Sequence, residues 1–125
     1  EFTPQNGFIV SGKETAIFLE EKLAYLGLNR REANEFIMYW LPQLENNPYN
    51  LIHFSGIEYE REAVLTIKPQ PETIIRFSMI AQALQSSLNF PIQDLTSMKK
   101  VRKGFTVVEW GGCIINQLKT NSNSP

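Results

Sequence analysis

Up to about residue 50 the apolar residues of this chain recur at every third or fourth position, and beyond it they alternate with polar ones. A stripe at period 3.6 buries one side of a helix, while alternation at period 2 buries one face of a strand. Helices and strands therefore occupy separate stretches of the chain. That excludes repeating βαβ units and predicts a segregated α+β fold. The simplest such fold is a mainly antiparallel sheet with two N-terminal helices packed on one face.

The helical half carries its own punctuation. Ser11 followed by Glu14 has the spacing of a capping box, and Ala16, Leu19, Leu23 and Leu26 follow at helical intervals. Gly27 supplies the left-handed stop. Asn29 and Glu32 repeat the capping pattern ahead of Ala33, Phe36, Ile37, Trp40 and Leu44. Pro42 ends or kinks that helix near residues 39–41. "ENNPYN" is a turn by composition.

Strands are expected at "LIHF" (51–54), "AVLTIK" (63–68), "TIIRFSMI" (73–80) and "GFTVVEW" (104–110), with "GFIV" (7–10) as a short extended entry. In the third of these Ile75, Phe77 and Met79 face one side, with Arg76 and Ser78 on the other. The 81–103 stretch reads as a loop with a short edge strand near 90–95. Residues 1–118 form a single α+β domain, and 119–125 read as a disordered tail.

Composition narrows the function classes. Twelve basic and thirteen acidic residues nearly cancel, so no overall field draws the chain to nucleic acid. A single cysteine, Cys113, forbids an internal disulfide and the usual multi-cysteine zinc sites. No apolar run is long enough to span a bilayer. No glycine-rich phosphate-binding pattern is present, so neither cofactor nor metal is expected.

Candidate site residues remain. His53, the only histidine, suits general-base work, but its alternation with Ile52 and Phe54 favours an ordinary strand position. Glu109 shares a strand face with Phe105 and Val107. If that face is buried, its carboxylate is desolvated, with Arg76 the natural partner. Such a pair is more often structural than catalytic. Glu58, Glu60 and Glu62 offer second carboxylates, yet nothing ties them to Glu109. Tyr49 beside Pro48, Trp110 beside Gly111, and Tyr59 belong to an aromatic set of the kind that makes binding surfaces. Gly111 and Gly112 permit a tight turn or a close backbone approach. "KKVRK" (99–103) reads as a solvated basic loop, and Cys113 as a small apolar residue.

The stretches "LGLNRREANEFIMYWLPQLENNPYNLIHF", "PETIIRF" and "RKGFTVVEWGG", in that order, resemble the C-terminal portion of a group of largely uncharacterised microbial proteins, many of them exported or lipoprotein-like. The resemblance spans roughly residues 8–112. It places Tyr39, Trp40, Pro42, Asn47, Pro48, Tyr49, Glu109, Trp110, Gly111 and Gly112 in the shared motifs; Cys113 departs from the group's pattern. It implies an α+β fold, a secreted or cell-surface setting, and a strand-rich segment upstream in a larger protein. It implies no activity.

The leading expectation is a binding or protein-interaction module whose ligand, a protein or a carbohydrate, meets Tyr49, Tyr59 and Trp110. The alternative is a hydrolase using Glu109 with His53 or Arg76. A structural or oligomerisation domain, a homo-oligomer included, is the third reading.

Overall fold

The computed structural model describes residues 4–56 and 68–115. Strand β1 (Phe8–Ser11) leads through a three-residue 3-10 turn, Gly12–Glu14, into helix α1 (Thr15–Leu26). Helix α2 (Arg30–Trp40) follows, and a second 3-10 turn, Leu41–Gln43, brings the chain to β2 (Tyr49–Gly56). Strands β3 (Thr73–Leu84) and β4 (Thr106–Ile115) complete a sheet of order β1-β2-β3-β4. The fold is α+β. The expected strand at 63–68, all but Lys68, together with Glu58, Tyr59, Glu60, Glu62 and the 119–125 tail, lies outside the described residues.

The second capping box forms as the spacing requires. Asn29 Oδ1 accepts the Glu32 N–H at 2.9 Å, and Glu32 Oε1 accepts the Asn29 N–H at 2.8 Å. Two otherwise orphaned helix donors are thereby satisfied, worth about 1 kcal/mol. The first box does not form. Ser11 is still extended and paired with Tyr49, so α1 starts four residues later, and Thr15 Oγ1 donates back to the Ser11 carbonyl at 2.9 Å. Gly27 stops α1 at φ 110°.

One sheet face is the core. Ile52, Phe54, Ile75, Phe77, Met79 and Ala81 bury almost completely against Leu19, Leu23, Leu26, Phe36 and Trp40 from the helices. The second face carries Leu51, His53, Ile74, Arg76, Ile80, Val107 and Glu109, as strand alternation dictates.

The sheet is mixed, not mainly antiparallel. β1, β2 and β3 pair antiparallel, but β4 runs parallel to β3 in the register Thr73↔Thr106 to Gln82↔Ile115. The cause is the 85–105 connection, which returns along the length of β3 before β4 begins. It pairs with Gly7 through Ile92 outside β1, buries Leu95 in the core and ties Arg102 to the Gly27 carbonyl at the α1–α2 turn. Thr73 Oγ1 then donates to the Lys103 carbonyl at 2.8 Å, setting the start of β4 beside the start of β3. The edge strand expected at 90–95 is a single parallel bridge, Gly7↔Ile92.

A buried asparagine joins the helical half to the sheet. Asn50 is fully buried and donates to the Leu44 carbonyl at 2.9 Å and to Thr15 Oγ1 at 3.2 Å, while accepting from Asn47 Nδ2 at 2.8 Å. Replacing it by alanine leaves the Leu44 carbonyl without that donor in a dry site. We expect Asn50→Ala to lower unfolding free energy by about 2 kcal/mol in urea denaturation. An unchanged urea midpoint would show that the network carries no stability.

Candidate functional site

Three of the sequence-derived candidates, His53, Arg76 and Glu109, lie on the second face of the sheet, on β2, β3 and β4 respectively. Arg76 and Glu109 are register partners across the parallel ladder. Arg76 Nε donates to Glu109 Oε1 at 2.6 Å. The two ends of this pair differ in environment: the arginine side chain is 8% exposed and the carboxylate 53%. Arg76 sits on an interior strand flanked on both sides. Glu109 projects from a strand that, among the described residues, has a neighbour on one side alone. The expected desolvated carboxylate is therefore not found; the carboxylate stands half in water.

His53 does not join this pair. Its Nδ1 lies 2.8 Å from the Asn6 carbonyl, so that nitrogen carries the proton and donates. Its register partner is Ile80, which in turn faces Cys113. Glu109 is thus two strands away and four residues along, about 16 Å from backbone to backbone. The Cys113 thiol is two strand spacings from His53, about 10 Å. Neither His53 with Glu109 nor His53 with Cys113 forms a couple. Among the described residues no group of three or more His, Cys, Asp and Glu side chains is placed to hold a metal ion.

The aromatic candidates separate as well. Trp110 lies on the core face, edge-on to Phe36 at 4.8 Å between centroids, with Tyr39 at 5.7 Å and Trp40 at 6.4 Å. Tyr49 is on the second face, opposite Leu84 at the far end of β3. The two rings share no surface, so an aromatic groove containing both does not exist. Gly111 and Gly112 do not turn the chain either; β4 runs through them to Ile115. Gly112 instead admits Trp40: a Cβ there would fall 2.8 Å from Trp40 Cζ2 and 2.5 Å from the Met79 carbonyl oxygen. This close approach seats the end of α2 on the edge strand. It leaves Trp40 Nε1 buried without a hydrogen-bond partner.

What β4 offers outward is main chain. It is ten residues long, pairs with β3 alone among the described residues, and carries Glu109 as its one charge. Gly112, Cys113 and Ile114 are exposed in succession near its end. Natural edges are usually blunted by lysine, proline, bulges or a covering segment. The Thr106–Ile115 run has neither lysine nor proline. The opposite edge is protected in part: Gln93 uses its side-chain amide as a surrogate strand, donating to the Phe54 carbonyl and accepting the Phe54 N–H at 3.0 Å.

One further pair has no counterpart in the local sequence pattern. Arg102 grips Glu32 with two hydrogen bonds of 2.8 and 2.9 Å and reaches the Gly27 carbonyl with the same guanidinium. The basic run 99–103 is thus pinned to the helix turn by one of its four cations. Seventy positions separate the partners, so no spacing rule reveals them.

Comparison with protein-family models, with curated proteins and with solved structures finds no match to this chain.

The Arg102 hydrogen bonds hold the Glu32 carboxyl below its usual range. A carboxyl lowered in the folded state contributes stability above its unfolded pKa and loses it as pH falls through the folded value. Glu32→Gln keeps the capping geometry but removes the charge. At pH 7 it is expected to cost about 1 kcal/mol, the pair being partly solvated. The difference from the parent should shrink on acidification and vanish once Glu32 is protonated in both states. A pH-independent difference in thermal melts would contradict this origin.

Proposed function

We propose that the chain is a protein-interaction module that takes up an extended segment of a partner polypeptide along β4. One observation carries this reading: a ten-residue edge strand with a single charge and no proline or lysine, whose neighbour among the described residues lies on one side alone. Main-chain hydrogen bonds to such an edge supply affinity, and alternate side chains supply selectivity. Thr106, Val108, Trp110 and Ile114 alternate on the helix side and Val107, Glu109 and Cys113 on the other. An added strand therefore meets aliphatic and aromatic neighbours on one side and a carboxylate on the other.

A protein ligand suits this arrangement better than a carbohydrate. Sugar binding relies on an exposed ring platform, and Trp110 spends its faces on Phe36, Tyr39 and Trp40. Hydrolysis through Glu109 is the weaker reading. Its hydrogen-bonded partner is an arginine, which stays protonated and cannot exchange a proton with substrate. A secreted or cell-surface setting rests on the resemblance of the YWLP, NPY and GFTVVEWGG stretches and belongs to the same proposal. No helix among the described residues is long and apolar enough to cross a membrane.

The test is selection of binders from a displayed library of random extended peptides, followed by binding to Cys113→Lys/Ile114→Lys. Both positions are exposed, so the charges blunt the edge without entering the core. Selected peptides are expected to lose about tenfold or more in affinity for the double variant. They should also slow amide hydrogen exchange in β4. Undiminished binding, or protection confined to other elements, would sink the proposal.

A further inference from the structure

On the opposite edge of the sheet a shallow groove of about 340 Å³ runs between β1 and α1, lined by Ile9, Val10, Glu14, Ile17, Phe18 and Glu21. Its wall is helical: Ile17 and Phe18 form an apolar middle, with a glutamate one turn away on each side. Ile17 is 61% exposed although it is a large aliphatic residue. Its floor is strand edge. Gly7 turns outward, giving its N–H to the Pro91 carbonyl at 2.9 Å and accepting the Gln93 N–H at 3.1 Å. Alternation turns the Ile9 N–H and carbonyl the same way, just beyond the point where the 91–93 segment leaves. The groove thus offers main-chain pairing, an apolar seat and two carboxylates seven residues apart, about 10 Å along the helix. Lys22 is the nearest cation that the rings engage, held 4.9 Å from the Phe8 centroid and 5.8 Å from that of Phe18.

The chain itself carries a segment of complementary form. Residues 99–103 read Lys-Lys-Val-Arg-Lys, and Lys99 is extended, with φ −68° and ψ 135°. Arg102 points into its own molecule, toward Glu32 and the Gly27 carbonyl. Lys99, Val101 and Lys103 are all exposed. Val101 is 78% exposed. Among the described residues the Lys100, Val101 and Arg102 main chain makes no backbone hydrogen bond. Lys99 and Lys103 lie four residues apart, about 13 Å in an extended chain, a span that flexible lysines adjust to the two glutamates. Lys99 currently rests 5.0 Å from the Tyr25 centroid, an exposed cation–π contact that is readily exchanged.

We infer that the protein self-associates head to tail: the 99–103 segment of one copy lies along the β1 edge of the next, Val101 seated between Ile17 and Phe18, and Lys99 and Lys103 paired with Glu14 and Glu21. The two surfaces differ, so the contact is heterologous and leaves a free groove and a free segment at the ends of each assembly. The contact is small and rimmed by exposed charges, so the association is weak, salt-sensitive and driven by concentration.

Sedimentation velocity from micromolar to near-millimolar protein tests it. The parent chain is expected to show a rising mean sedimentation coefficient at low salt, suppressed by high salt. Glu14→Lys/Glu21→Lys and Lys99→Glu/Lys103→Glu alter exposed positions, and each alone should weaken association by about tenfold or more. An equimolar mixture of the two variants should associate again, because each reversed groove then faces a reversed segment. Cys113→Lys/Ile114→Lys should leave this association untouched, which separates it from any failure at β4. A parent chain that stays monomeric throughout, or a variant mixture that does not associate, would overturn the inference.

Discussion

Asn50 is the joint on which the arrangement of the two halves depends. A buried amide without partners costs a few kcal/mol, so its position is tolerated only when every nearby donor and acceptor is aligned. Its Nδ2 takes the Leu44 carbonyl at the exit from α2 and the Thr15 hydroxyl at the start of α1, and its Oδ1 takes Asn47. Thr15 passes the connection on to Ser11 at the end of β1. The end of one strand, the start of one helix, the exit from the other and the start of β2 therefore share one network. Gly12 makes the same joint sterically exclusive: a Cβ there would lie 2.0 Å from the Asn47 carbonyl oxygen.

From that joint the helical pair is laid on one face of the sheet, and aromatic packing completes it. Phe36 reaches Phe77 at 5.5 Å and Trp110 at 4.8 Å, linking α2 to β3 and β4 together. Phe8, Phe18 and Phe54 do the same for β1, α1 and β2. The core thus extends to both outer strands of the described sheet. Among the described residues Gly7, just ahead of β1, pairs with the 91–93 segment, the Gln93 amide covers Phe54 of β2, and β4 has β3 as its one neighbour. Among the described residues the outer side of β4 is main chain with Glu109 as its one charge, and the proposed interaction rests on that edge.

Much of the fold is legible from local pattern. The second capping box, the Gly27 stop, the end of α2 at Trp40 ahead of Pro42, and the facing of Ile75, Phe77 and Met79 all follow from spacing. These features are decided within a turn of helix or a few strand residues. The capping box at Ser11 does not form: a 3-10 turn, Gly12–Glu14, follows Ser11 and α1 begins only at Thr15. The candidate site is less legible. Arg76 is named from the sequence as a candidate partner of Glu109, but that the two share a face and meet depends on β4 lying beside β3 in a parallel register. Tyr49 and Trp110 occupy opposite faces of the sheet, and Gly112 serves the close approach of Trp40 rather than a turn.

The sequence by itself determined the two helices and where they stop, the strand character of 51–54, 73–80 and 106–110, and the apolar side of β3, since backbone preference and periodicity act over a few residues. Tertiary structure alone decided the order and direction of the described strands, the Glu32–Arg102 clasp and the half-exposed state of Glu109. Those outcomes depend on the path of the 85–105 connection, and that path is set by distant contacts at Gly7, Gly27 and Thr73.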